Sequence, residues 1–206
     1  MTDTKSKILD AAERLFALDG IDGTSLRDIT RDAGVNLAAV NYHFQSRESL
    51  ISAVIARRIL PVNERRIQML DAYEANGPAT PEQIAEAFLL PVLEAGAEHQ
   101  NMRPMMGRML AAPNEFLHRI FKTHLAAIGQ RFLESLSRSL PDLPKQDLVW
   151  RLHFMVGVMA HVIAWSGVLS TITDGMCDVK DTNALTRRMV AFVAAGLKAP
   201  ATNHEG

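Results

Sequence analysis

The sequence predicts an all-α protein of about nine helices, with an N-terminal three-helix helix-turn-helix domain and a larger C-terminal helical domain. Apolar residues make up 48% of the 206 residues, and they recur at helical spacing along nearly the whole chain. Tyr and Trp number two each, whereas Leu, Ala, Ile and Met are plentiful, which favours helices over strands. We expect the two domains to span residues 1–50 and 51–206.

The totals exclude several classes of protein. A formal net charge of -1 is not that of a polycation, so any binding to nucleic acid requires a local surface. The single cysteine, Cys177, excludes an internal disulfide and a multi-cysteine metal site, and it suits a cytoplasmic location. The charged N-terminus is unlike a signal peptide. We expect no membrane span, no metal and no cofactor, and we interpret the apolar run 152–172 as a buried helix.

The first three helices follow from local signals. Apolar residues at helical spacing predict a helix that ends at Gly20. Thr24 or Ser25 can cap a second helix, with Asp28 placed to complete a capping box. Gly34 supplies a left-handed turn, and Asn36 caps a third helix over residues 37–44.

The remaining helices are longer. A fourth begins after Ser46 and runs to about residue 75, with Pro61 expected to kink or split it. The segment "NGPATP" is the clearest break in the chain. Further helices are expected over residues 81–98, 114–140, 147–171 and 182–198. A short helix is expected within "NMRPMMGRMLAAP", bounded by Pro113.

Two short helices joined by a glycine turn form a helix-turn-helix pattern, which is typical of DNA-binding proteins. Val40 and Phe44 should face the core, so that Ala38, Ala39, Asn41 and Tyr42 face outward. Small alanines allow close approach to a groove wall, and an asparagine can pair with an adenine edge. Tyr42 is either a half-buried surface aromatic or a phenol placed against a phosphate or a base.

Further candidates for DNA contact surround this helix. The hydroxyl groups and cations that could hold phosphates belong to Thr24, Ser25, Arg27, His43 and Arg47, and the start of the helix adds Asn36 and Leu37. Residues 1–60 contain eight basic and eight acidic side chains. Specific binding would therefore depend on geometry and on a dimer rather than on a broad basic field.

The stretch "ILDAAERLFALDGIDGTSLRDITRDAGVNLAAVNYHFQSRESLISAV" resembles the DNA-binding region of the tetracycline-repressor (TetR) family of transcription regulators. The resemblance covers about residues 5–55 and includes the "AGV" turn and the closing "YHF". Many relatives carry Tyr where this chain has Asn41, so the usual tyrosine-to-phosphate role is assigned to Tyr42 and His43. Arg47 stands where relatives usually have a phosphate-contacting Lys.

The resemblance also implies that the second domain binds a small molecule and forms a homodimer. The stretches "WRLHFMVGVMAH" and "FVAAGLKA" are similar to a subset of the family with fatty-acid-responsive members. We expect the dimer to form through residues 147–171 and 182–198; the alternative is that both helices belong to an intramolecular core.

Methionine and aromatic side chains suggest an adaptable effector pocket. The candidates are Met105, Met109, Phe121, Trp150, Phe154, His161 and Trp165. Ordinary core filling is the alternative for the methionines, and a buried, hydrogen-bonded histidine is the alternative for His161. His153 and His161 lie eight residues apart, a spacing that disfavours a zinc pair on one helix.

Together these features predict a one-component regulator, a repressor, that binds a palindromic DNA operator and is released by a small apolar effector. A fatty acid or an acyl derivative is the candidate effector. Two other classes of protein are the alternatives to a regulator. An enzyme is disfavoured because no nucleophile lies near a plausible base in the sequence. A DNA-organising protein without an effector would bind DNA without regard to sequence.

Overall fold

The computed structural model describes residues 3–111, 114–177 and 179–201. Within these ranges it contains nine α-helices and no strand, which confirms the predicted all-α fold. The helices are α1 (Thr4–Gly23), α2 (Leu26–Ala33), α3 (Leu37–Phe44), α4 (Arg47–Glu74), α5 (Pro81–Glu98), α6 (Met102–Ala111), α7 (Glu115–Ser139), α8 (Lys145–Ile172) and α9 (Thr182–Leu197).

The short helices begin and end at the residues that the sequence indicates. The Ser25 side chain accepts from the backbone of Asp28, whose carboxylate accepts from Ser25 in return, so the capping box is complete. Gly34 adopts the left-handed conformation, with φ 64° and ψ 36°, and ends α2. Asn36 and Ser46 cap α3 and α4 by the same side-chain device.

Glycine and proline act differently inside the longer helices. The regular turns of α1 are interrupted at Gly20, whose φ of 76° and ψ of 171° are not helical. By contrast, α4 continues through Pro61 and α5 through Pro91. Of the two outcomes expected at Pro61, a kink or a split, the split does not occur, because the packing of a long helix outweighs the hydrogen bond that one proline removes.

The first four helices share a core. Ile8 and Phe16 of α1 are buried together with Ile29 of α2 and with Val40 and Phe44 of α3. The fourth helix then continues out of this core and packs against α5 and α7. The boundary predicted at residue 50 stays a prediction, since α4 runs across it without a break.

The sixth helix lies between the two parts of the chain, because it packs against both α1 and α8. Arg108 of α6 donates from Nε to the carbonyl oxygen of Ala17 in α1, at 3.0 Å. Gly107 permits the close approach of α8: a Cβ at this position would lie 3.1 Å from the Cα of Ala164. A displacement of α6 would therefore change its contacts with α1 directly.

The eighth helix is apolar on most of its circumference, yet much of it is exposed. Trp150, Phe154 and Trp165 are 51%, 61% and 54% exposed, and His153 and His161 also face solvent. The expectation of a buried helix over 152–172 is thus wrong for a single chain. Among the described residues, the segment Lys145–Trp165 is the one helical stretch that is long and apolar enough to cross a membrane. Length and composition of a single helix are weak evidence for a membrane span.

Candidate nucleic-acid interface and effector region

The third helix presents a small, rigidly held surface. Val40 and Phe44 fix it to the core, since both are almost completely buried. Leu37, Ala38, Asn41 and Tyr42 face outward, and Tyr42 is 83% exposed. Of the four residues that the sequence placed on the outside, Ala38, Asn41 and Tyr42 are exposed, whereas Ala39 is half-buried and packs against the core. A helix of this kind, with small and polar side chains facing solvent, can enter the major groove of DNA.

Three neighbouring candidates for DNA contact already have structural contacts within the domain. The Oδ1 atom of Asn36 accepts from the backbone of Ala39, at 2.9 Å, so this side chain is the cap of α3. Ala39 and His43 are half-buried. The His43 ring lies edge-on to Tyr42, with 5.1 Å between the ring centroids, and it supports the position of the exposed phenol.

The two hydroxyl groups before α2 have internal partners. Thr24 is 3% exposed and donates to the carbonyl oxygen of Gly20, at 2.8 Å. Its side chain is therefore not available to a phosphate, contrary to the expectation from the sequence. Ser25 is exposed, but its hydroxyl forms the capping box with Asp28. The Ser25 hydroxyl donates to the Asp28 carboxylate and accepts from the Asp28 backbone, so it would have to give up the bond to the carboxylate in order to donate to a phosphate.

The two arginines expected at phosphates differ in their surroundings. Arg27 is exposed and can extend towards a ligand. Arg47 is half-buried, and its Nη2 donates to the carbonyl oxygens of Ile21 and Thr24. Its guanidinium group thus holds the α1–α2 connection in place. Sequence reasoning missed this role because the partner residues lie more than twenty positions away.

Acidic residues next to this surface are paired within the domain. Arg14 of α1 forms an ion pair with Asp32, and Arg31 pairs with Asp28 at 2.6 Å. Hydrogen bonds from Ser25, together with the charge of Arg31, lower the pKa of the Asp28 carboxyl below its ordinary value. The pairing moderates the repulsion that two carboxylates would exert on a DNA backbone.

The structure does not bring the seven predicted effector residues together. Met105 and Met109 are buried in α6, where they border a cavity of about 290 Å³ between α1, α6 and α7. Trp165 borders a different cavity, of about 500 Å³, between α6 and α8. Phe121 packs against the core from α7. The others lie exposed on α8: Trp150, Phe154 and His161.

A charged residue that the sequence analysis did not single out lies in the core of the C-terminal part. Arg66 is 3% exposed and occupies the buried side of α4 together with Ile59, Val62 and Met69. These apolar positions follow helical spacing, so the sequence alone could have indicated that Arg66 is a charged residue on the buried side of α4. Charged side chains at such positions are rarely buried without a reason.

The fold and the exposed recognition helix define a class of helical DNA-binding regulators. Two family models match this chain: the tetR family of bacterial regulatory proteins over residues 8–54, and the tetracyclin repressor-like C-terminal domain over residues 86–196. The second match alone covers more than half of the 206 residues. The chain therefore belongs to the TetR family of transcription regulators.

Individual relatives agree with this assignment. The chain is 33% identical over 105 residues to the transcriptional regulator AcrR of Shigella flexneri, an alignment that covers 50% of this chain and 46% of AcrR. It is 44% identical over 46 residues to IcaR of Staphylococcus aureus (strain Newman), a negative regulator of a biofilm operon, which covers 22% of this chain and 25% of IcaR. The chain thus spans less than half the length of these two relatives.

Similarity to solved structures extends over the whole fold. The transcriptional regulator FadR from Bacillus subtilis, solved in complex with stearoyl-CoA, superposes with a TM-score of 0.72. The superposition covers 93% of this chain and 98% of that one, at 16% sequence identity. At this identity the likeness shows the shared fold. As regulators of transcription, the relatives also make an enzymatic function unlikely.

Proposed function

We propose that the chain is a one-component repressor that binds a palindromic operator as a homodimer and releases it when a small apolar effector binds. The observation that carries this proposal is the outward row Leu37, Ala38, Asn41 and Tyr42 on a helix fixed by buried Val40 and Phe44. In this arrangement α3 enters the major groove, while Arg27 and Tyr42 contact phosphates. Asn41 reads a base edge.

The proposed dimer interface uses α8 and α9. Large apolar side chains of α8 are exposed in the single chain, and Phe192 of α9 is 71% exposed. Several large apolar side chains exposed on the same two helices favour a site of protein association. Pairing α8 and α9 with their copies in a second subunit gives a four-helix bundle with two-fold symmetry. The two recognition helices would then lie about 34–36 Å apart, or farther.

An effector in the C-terminal part would act through α4 and α6. The fourth helix starts at Arg47, beside the connection between α1 and α2, and ends in the C-terminal core. The sixth contacts α1 through Arg108 and Ala17. A ligand that prefers one spacing of the two reading heads would shift the dimer to that spacing. The stearoyl-CoA bound to the FadR relative makes fatty acids and acyl derivatives the first compounds to test.

Selection of DNA from a random pool by the purified protein tests this function. We expect one enriched palindrome, bound by a dimer and released on addition of the effector. Enrichment of no palindrome, with binding that depends strongly on salt and not on sequence, would instead establish a DNA-organising protein. The proposed cellular location is the cytoplasm, where an operator is accessible.

A further inference from the structure

The guanidinium group of Arg66 lies in the core of the C-terminal part, and no carboxylate of the residues that the structure describes forms an ion pair with it. Its Nε donates to the carbonyl oxygen of Phe88 at 2.9 Å, and its Nη1 donates to Oδ1 of Asn63 at 3.1 Å. Its Nη2 lies 3.1 Å from Sδ of Met159, a weak acceptor. The group also lies over the Phe88 ring, 4.1 Å from the ring centroid. All of these partners are neutral.

Two half-buried arginines in this part of the chain have carboxylate partners, whereas half-buried Arg103 donates to the carbonyl oxygen of Leu93. Arg131 contacts Asp71 and Glu74, each at 2.7 Å, and Arg151 lies 3.9 Å from Asp147. No ion pair within 4.0 Å involves Arg66 among the described residues. Burial lowers the pKa of Arg66 to about 9, so it remains a cation at neutral pH. A buried cation of this kind is stabilised strongly when an anion reaches it.

One of the three contacts has a structural explanation. Pro91, three residues after Phe88, has no N–H and disturbs the hydrogen bonds of that turn of α5. The carbonyl that Pro91 deprives of its donor is that of Ala87, and the Phe88 carbonyl that accepts from Nε is its neighbour in the same turn. The bond from Nε accounts for one nitrogen of the guanidinium group and leaves the two terminal nitrogens with an amide oxygen and a thioether.

An apolar groove between α4 and α7 lies beside this cation, and Asn63, rather than Arg66 itself, lines it. Its volume is about 420 Å³, within the range of about 300–1,000 Å³ that is typical of small-molecule sites. Leu60, Ile67, Ala127 and Ile128 supply most of its apolar lining. Asn63 connects the groove to the core, since it lines the groove and also accepts the bond from Arg66.

A second polar group in the groove wall lacks a partner. The Nε2 atom of His124 is buried and forms no hydrogen bond with any of the described residues. The backbone carbonyl of the same residue accepts from Nδ2 of Asn63. The part of the groove wall around Asn63, its inner end, therefore contains an unpaired imidazole nitrogen and an amide that contacts both His124 and the buried Arg66 behind the wall. The acidic residue of the lining, Glu64, is exposed at the outer side.

We propose that Arg66 binds the carboxylate of an apolar monocarboxylic acid whose hydrocarbon chain lies in the α4–α7 groove. The inference rests on the proposed function, because it names the chemical class of the effector. The carboxylate would replace Asn63 and Met159 as the acceptor of the two terminal nitrogens, a planar pairing that suits a guanidinium group. The unpaired Nε2 of His124 supplies a second polar atom to the groove wall along which the ligand would lie.

This choice of ligand follows from the charge and the size of the inner end. The buried group carries one positive charge, which a single carboxylate neutralises. The groove wall is mostly aliphatic, so the rest of the ligand should be a hydrocarbon chain. Release of Met159 would loosen a contact between α4 and α8, the helix of the proposed dimer interface. Ligand binding and subunit geometry would be coupled through that contact.

Binding of dodecanoate and of dodecanol to the full-length protein tests the proposal without DNA. The two probes share a chain and differ in the head group, and tryptophan fluorescence or calorimetry gives both dissociation constants. We expect dodecanoate to bind more than about tenfold more tightly than dodecanol, as a charge-assisted pair implies. Equal binding of the two, or no binding of dodecanoate, would overturn the proposal.

Three variants locate the effect. Arg66→Met should bring the two dissociation constants to within about twofold, because it removes the charge and retains an apolar side chain of similar length. Arg66→Lys should retain part of the preference for the acid. The matched control, Arg65→Met, removes an exposed arginine one position away and should bind like the unaltered protein. A preference for dodecanoate that survives in Arg66→Met would contradict the assignment of Arg66.

The same protein sample separates this inference from the proposed function. Operator binding in the absence of any fatty acid tests the regulator. A protein that binds its operator but does not distinguish dodecanoate from dodecanol would leave the repressor in place and overturn the carboxylate site. The comparison of the two probes on the unaltered protein needs no variant, so it decides the question even if Arg66→Met does not fold.

Discussion

Arg47 donates to the backbone carbonyl of Ile21, a residue 26 positions earlier in the chain, and the same Nη2 lies 3.2 Å from the carbonyl oxygen of Thr24. The first residue of α4 thus fastens the connection between α1 and α2. Because that connection precedes the cap of α2, this guanidinium group helps the shared apolar core to position the helix-turn-helix.

Substitution of Arg47 by alanine should therefore impair folding as well as DNA binding. Loss of two hydrogen bonds to a charged donor is expected to lower the free energy of unfolding by about 1–3 kcal/mol. Urea denaturation measures this loss, and a gel-shift titration measures the operator affinity. The control is Arg27→Ala, which should weaken binding and its salt dependence without a change in stability. Unaltered stability in Arg47→Ala would leave only the phosphate contact expected from the sequence.

Tyr42 should affect DNA binding alone. Its side chain is 83% exposed, so Tyr42→Ala should change the free energy of unfolding by less than about 0.5 kcal/mol. We expect a loss of operator affinity of about tenfold or more, which corresponds to about 1.4 kcal/mol. Tyr42→Phe retains the ring and removes the hydroxyl, so it shows which part makes the contact. Full affinity in the alanine variant would mean that α3 approaches DNA in another orientation.

The exposed apolar side chains of α8 and α9 predict a dimer that charges introduced on these two helices can disrupt. The double variant Phe154→Glu, Phe192→Glu should sediment as a monomer, because two-fold symmetry places four carboxylates in the proposed interface. The control Leu18→Glu introduces a carboxylate at an exposed apolar residue of α1, outside the proposed interface, and this variant should remain dimeric. Analytical ultracentrifugation distinguishes the two species. A dimer in both variants would locate the interface elsewhere.

Glu74 should make stability dependent on pH in the acid range. Burial alone would raise the pKa of its carboxyl, but hydrogen bonds from Arg131, Ser135 and Arg138 outweigh this effect and lower it to about 2. A folded-state pKa below the unfolded value of 4.5 contributes stability that is complete above pH 4.5 and disappears as the pH falls towards 2. The contribution is at most about 3 kcal/mol.

Replacement of this carboxylate by an amide tests the contribution. Glu74→Gln should lower the free energy of unfolding at pH 7 and flatten its decline between about pH 4.5 and 2. The same change at exposed Glu134 of α7 serves as the control. Urea denaturation at a series of pH values gives both curves. Parallel curves for Glu74→Gln and the unaltered protein would show that another carboxylate dominates the acid unfolding.

Features that depend on a few neighbouring residues were predictable from the sequence. Ser25, Gly34, Asn36 and Ser46 all act as the sequence indicates, because a cap or a turn is decided within about four positions. The outward orientation of Asn41 and Tyr42 follows from the 100° step of a helix. The resemblance to the TetR family then supplied the fold as a whole.

Features that depend on contacts distant in sequence were not predictable. The burial of Thr24 and the two carbonyl contacts of Arg47 arise only when α1 and α4 come together. The apolar composition of α8 showed that its surface must be covered but did not show by what. Trp150 and Phe154 were therefore assigned to a pocket, although they face solvent in a single chain.

The exposed aromatic row on α8 also bears on how much protein a cell must make. Under the proposed pairing of two subunits, the concentration of the DNA-binding species rises with the square of the free subunit concentration. A twofold change in synthesis then changes operator occupancy by more than twofold at low levels. Promoter strength and dilution by growth would thus act on the same switch as the effector, through Trp150, Phe154 and their neighbours.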